Sequence, residues 1–133
     1  MNTSFSSLIE NGKLQKIEID KDMISKEIDG AKYDLQRAEN SYENSDFKWA
    51  IIQAYYSYFH SVRALIYKKG YREKSHYALL LAFKELYIKE RIIEEEFLQD
   101  FEDAMDAREN ADYNLTFSKE IAKEIIKKTK HML

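Results

Sequence analysis

No proline interrupts this chain of 133 residues, and glycine appears at only three positions. Proline breaks helix interiors and glycine weakens them. A chain with almost neither, on a background of Glu, Lys, Ala, Ile and Leu, reads as helix nearly throughout. The apolar residues recur at helical spacing, so the expected fold class is all-α. There is no cysteine, which removes disulfides, thiolate zinc sites and cysteine nucleophiles. At this length one domain with its own core is expected.

Residues 1–20 read as a short helical turn, "FSSLIEN", stopped by Gly12 and followed by a loose polar connector. Residues 21–133 then form the bundle. Its first long helix starts near Lys21 and carries Ile24, Ile28, Ala31, Leu35, Ala38 and Tyr42 on one face. Gly30 interrupts that helix without stopping it and is expected to let a neighbour approach closely. After the break "ENSD", Ser45 or Asp46 caps a second helix, "FKWAIIQAYYSYFHSVRALIYKK". That helix is apolar nearly all round, from Trp49 through Tyr55, Tyr56 and Phe59 to Ile66, so it is expected to be central. A strip of Gln53, Ser57, His60 and Ala64 runs along it. Gly70 ends it, "YREKS" reads as a loop, and Ser75 caps "HYALLLAFKELYI". A further helix runs from about Glu94 to Asp112, and Thr116 or Ser118 caps the last one. The expectation is an up-and-down bundle of four to five helices.

The charge balance is 21 basic against 24 acidic residues, a net of −3. That argues against gripping duplex DNA by broad phosphate neutralisation, although a local basic pocket is allowed. No apolar run has the length of a membrane span, and "MNTSFSSLIENGKL" lacks a signal-peptide layout, so no membrane partner and a cytoplasmic location are expected.

The stretch "FLQDFEDAMDARENADYNL" raises the sharpest question. Phe97, Phe101, Ala104, Ala111 and Leu115 fall on one helical stripe, and Arg108 stands in its middle. An unpaired buried charge costs on the order of several kcal/mol. The arginine is therefore held by a carboxylate, with Asp112 at i+4 the nearest, or it faces an anion such as phosphate, or it faces a phosphate beside a catalytic proton carrier.

"AYYSYFHSVRALIYKKGYREKSH", followed later by "ARENADY", resembles the HEPN domain family, the small single-domain prokaryotic proteins in particular. The likeness covers roughly residues 20 to 130. It implies a helical bundle, commonly a homodimer, with a late-helix arginine pointing into a cleft at the dimer interface. In many members that arginine begins an R-x(4–6)-H motif that cleaves RNA without a metal: arginine neutralises the pentacoordinate phosphate and histidine moves the proton. Arg108 matches the arginine, but the histidine positions carry Tyr113, Asn114 and Leu115, and Glu109 follows the arginine where active members have a short polar residue.

The resemblance implies first a nucleotide- or RNA-binding module, the possible partner of a small nucleotidyltransferase in a toxin–antitoxin-type pair. Arg108 is its anion contact, Asp112 the orienting carboxylate and Tyr113 a hydrogen-bond donor, with Asn110 and His76 as further ligand contacts. The alternative is an endoribonuclease that uses Tyr113 or borrows His60 beside Arg108. A third reading is a structural dimer in which Arg108 and Asp112 are a satisfied pair. On a continuous helix Arg108 and Tyr113 lie more than a right angle apart, so a shared ligand needs the helix to end between them or a second subunit to supply one.

His60 otherwise reads as a core histidine bonded to a tyrosine hydroxyl or Asp112, and His76 as an exposed first-turn residue. The three scattered histidines offer no i, i+4 pair, so neither a metal site nor a cofactor is expected. Tyr67, Tyr71, Arg72, Lys68, Lys69 and Lys74 cluster around Gly70, either as an ordinary helix end or as a contact for RNA or an acidic partner. The acidic run "KERIIEEEFLQDFEDAMD" is a solvated face or a dock for a basic partner.

Overall fold

The computed structural model describes residues 5–133. The first four residues of the N-terminal segment, where the stretch examined for a signal peptide begins, lie outside the described residues. Six helices follow in order: α1 (Phe5–Glu10), α2 (Lys21–Glu43), α3 (Phe47–Lys68), α4 (His76–Phe83), α5 (Glu95–Asp112) and α6 (Lys119–Met132). The fold is the expected all-α, HEPN-like bundle. Several ends follow the local chemistry closely. Asp20 accepts from the amides of Asp22 and Met23, Asp46 from Trp49, Ser75 from Ala78 and Ser118 from Ile121. Gly70 closes α3 at φ 82°, the left-handed conformation that glycine adopts without steric cost.

α3 is the central helix, with twelve of its residues buried. Ser57 Oγ donates to the Ala31 carbonyl at 2.6 Å, His60 meets Glu27 and Gln53 meets Ser41, so numbers on α2 fall as those on α3 rise. The two helices are therefore an antiparallel hairpin, and the small residues Ala31, Ala38, Ser57 and Ala64 bring them close. α6 lies along the same hairpin, where Thr129 Oγ1 donates to the Ala54 carbonyl at 3.2 Å. α5 packs on the other side of α3 through Phe101, which stacks on Tyr58 with ring centroids 5.3 Å apart. Lys128 of α6 bonds Asp103 of α5 at 2.8 Å, which turns part of the acidic run toward a basic partner within the chain.

Four details differ from expectation. The connector after α1 is not loose: β1 (Leu14–Lys16) pairs antiparallel with β2 (Tyr71–Glu73), the segment read as a loop. A three-residue strand gives too short an alternation to stand out from a polar linker. The helix after Ser75 widens to i→i+5 hydrogen bonding over Lys84–Ile88, which sets the Tyr87 hydroxyl on the Leu65 carbonyl at 2.7 Å. Trp49, counted with the apolar face of α3, is 48% exposed under Lys48. Leu115 leaves the α5 stripe altogether, exposed and at φ 52°, because the helix has ended three residues before it.

Candidate functional site

Arg108 stands in the last turn of α5, and its side chain is 18% exposed. It therefore lies at the border of the core instead of inside it. Nη2 donates to the Tyr56 hydroxyl at 3.2 Å and lies 3.4 Å from Asp112 Oδ2. Nε is buried and has no hydrogen-bond partner among the described residues. The guanidinium carbon is 5.9 Å from the Tyr55 ring centroid, 5.6 Å from that of Tyr56 and 5.4 Å from that of Tyr113. Aromatic faces stabilise a cation without consuming its hydrogen bonds. Most of the arginine's donors are thus left for another group.

The end of α5 places Tyr113. The helix stops at Asp112, Tyr113 is its C-terminal cap, and the ring, 71% exposed, turns over Arg108. The break that the helical angle required between Arg108 and Tyr113 is present within one chain.

His76 reaches the same tyrosines from α4. Its Nδ1 is 2.7 Å from the Tyr55 hydroxyl, and its ring packs against Phe59 at 4.7 Å and near Tyr56 at 6.3 Å. Burial pushes the Tyr55 phenol well above its usual range, so it keeps its proton. Which group donates across this bond follows from the imidazole tautomer, and Nε2 is the ring nitrogen left outside it. Burial lowers the His76 pKa, and the charges of Arg108 and Arg63 lower it further against an opposing effect of Glu109. The result is an imidazole of lowered basicity, its Nε2 outside the Tyr55 bond, on the aromatic surface that also carries Arg108.

The family model described as the HEPN domain matches residues 24–133. This chain belongs to the HEPN domain family. Over 101 residues it is 33% identical to Putative toxin MJ0142 of Methanocaldococcus jannaschii, covering 76% of this chain and 67% of that protein. Over 86 residues it is 31% identical to Putative toxin MJ0605 of the same organism, covering 65% of this chain and 64% of that one. The matched stretch thus spans about two thirds of each relative's length.

The HEPN bundle brings Arg108, Asp112, Tyr113 and His76 together and leaves two other candidates elsewhere. His60 faces α2, with Nδ1 3.0 Å from Glu27 and Nε2 3.5 Å from Asp34. Its partners are these carboxylates, not a tyrosine hydroxyl or Asp112. Burial raises Glu27, but the bond and charge of His60, with Arg63, outweigh it and the net shift is downward. Asn110 is spent on the turn after α5, accepting from Asn114 Nδ2 at 3.0 Å and, through its carbonyl, from the Thr116 amide at 2.8 Å. The aromatic residues around Gly70 turn inward: Tyr67 is buried beneath Arg63 and Tyr71 packs on Phe5.

Sequence reasoning missed Tyr55 and Tyr56 as site residues. The paired tyrosines in "AYY" look like packing on a helix apolar all round, and only the tertiary approach of α4 and α5 gives their hydroxyls partners. Among the described residues no group of three or more His, Asp or Glu side chains is placed to hold a metal ion, and no helix is long and apolar enough to cross a membrane.

Proposed function

We propose that this HEPN domain binds a phosphate-bearing ligand, a nucleotide or RNA, at Arg108. The observation that carries this is the guanidinium itself. It is held against tyrosine faces and shares one nitrogen between Tyr56 and Asp112, while its buried Nε has no partner. Structural arginines frequently take a close, two-pronged carboxylate, and Asp112, at 3.4 Å from one nitrogen, is neither. Asp112 orients the guanidinium, and Tyr113 and His76 in its Nε2–H tautomer add neutral donors to the phosphate oxygens. Exposed Tyr113, Leu115 and Phe117 beside the site favour a second copy of the chain covering it as a homodimer. The names of the two relatives, both putative toxins, favour a toxin-type role; a cytoplasmic location and a small nucleotidyltransferase as partner complete the proposal on the family resemblance alone.

A second reading, endoribonuclease, is favoured by His76 in particular. The arginine would stabilise the charge of the pentacoordinate phosphate, and the imidazole would move the proton. His76 suits this better than His60, whose two nitrogens both face carboxylates. Labelled mixed-sequence RNA incubated in EDTA with wild type and with Arg108→Ala, with binding followed in parallel, separates the two. Binding that depends on Arg108 without cleavage supports the module. Cleavage lost in Arg108→Ala and in His76→Gln supports the ribonuclease. If neither binding nor cleavage occurs, both readings fail for RNA.

A further inference from the structure

On the side of α3 opposite Arg108, an open cleft of about 790 Å³ follows the seam between α2 and α3. Helical spacing places Ser61, Ala64 and Leu65 roughly half a turn from Tyr55, Tyr56 and Phe59. α6 covers the same seam further along, and Met132 and Leu133 line the cleft beside it. Its floor is Ile24 and Ile28 from α2 with Ala64 and Leu65 from α3, and Ile28 is 39% exposed. The small side chains Ala31, Ser61 and Ala64 keep that floor low, as close helix approach needs.

The rim is one-sided in charge. Lys21, Lys32 and Lys68 line the cleft, and no Asp or Glu side chain does. None of the three has a carboxylate partner among the described residues, although the chain as a whole carries a net charge of −3. A second copy paired symmetrically on this face would set lysines against lysines, which is unfavourable.

We propose that the cleft is a docking site for an acidic amphipathic helix of a partner protein. Apolar residues at i, i+4 and i+7 would fill the seam in the line of α6, and flanking Asp or Glu side chains would meet the three lysines. This site is independent of the Arg108 site.

The test uses two synthetic helical peptides with the same leucine stripe, one flanked by glutamates and its twin by lysines. Binding is read by fluorescence anisotropy on the full chain, and amide shifts map the contact. The acidic peptide is expected to bind, with shifts at Ile24, Ile28 and Leu65, and the basic twin to bind about tenfold more weakly or not at all. The surface triple variant Lys21→Glu, Lys32→Glu, Lys68→Glu should reverse the preference. Equal binding of both peptides, shifts elsewhere, or no binding at millimolar peptide overturns the proposal. So does a wild-type dimer by light scattering that Ile28→Glu dissociates, which would give this face to a second copy.

Discussion

The Tyr56 hydroxyl and the Asp112 carboxylate share a single nitrogen of Arg108, Nη2, at 3.2 and 3.4 Å. A carboxylate that fully satisfied the arginine would stand at about 2.7–2.9 Å and take two donors. The apparent contradiction of a charge on an apolar stripe resolves here. Ala104 and Ala111 on that stripe are fully buried, while the long arginine stem carries its head past them to a tyrosine-lined edge.

Arg108→Met should keep the stem and lose the head. Stability by urea denaturation is expected to stay within about 1 kcal/mol of wild type, and nucleotide or RNA binding to disappear. If Arg108 were instead half of a structural ion pair, Arg108→Ala and Arg108→Met would both leave Asp112 unpaired and destabilise the fold by about 3–5 kcal/mol. Melting both variants beside a filter-binding assay decides between the two.

Tyr56→Phe removes one oxygen and keeps the ring under the guanidinium. The expected loss is about 1 kcal/mol of ligand affinity, roughly fivefold in Kd, because Arg108 is no longer pinned. Affinity unchanged in a titration would mean that the hydroxyl does not orient the arginine.

The helices and their caps were legible because each is written locally. Asp46, Ser75 and Ser118 are side chains that bond their own helix amides, and the burial of α3 follows from its composition. The candidate site was half legible. Arg108, Asp112 and Tyr113 lie within six residues, so helical geometry could be applied to them, and the end of α5 supplied the missing turn. His76 and Tyr55 are 21 residues apart and meet only through tertiary packing. The small sheet was not legible for a similar reason: β1 exists because β2 is beside it.

Gly30 offers a check on the α2–α3 hairpin. A Cβ built there would be 3.6 Å from the His60 ring, an ordinary contact, so the close approach of the helices does not require glycine. Gly30→Ala is expected to stabilise the fold by about 0.4–1 kcal/mol by restricting the unfolded chain. A loss of stability in urea melts would show that the His60–Glu27 contact cannot yield even slightly.

His76 makes stability depend on pH in a definite direction. Its folded pKa is lowered first by burial and then by Arg108 and Arg63, with Glu109 opposing, whereas an unfolded histidine titrates near about 6.5. Between the folded value and about 6.5 the unfolded chain binds more protons, so this contribution is complete above that range and is lost as pH falls through it. Urea melts from roughly pH 7.5 downward should therefore show a steeper fall for wild type than for His76→Gln. Proton NMR of the His76 ring should give a midpoint below about 6.5 in the free protein, and a higher one once a nucleotide places its phosphate beside the imidazole. Matching slopes for the two proteins would mean that His76 is as solvated in the fold as out of it. A midpoint that nucleotide does not move would remove His76 from the ligand site.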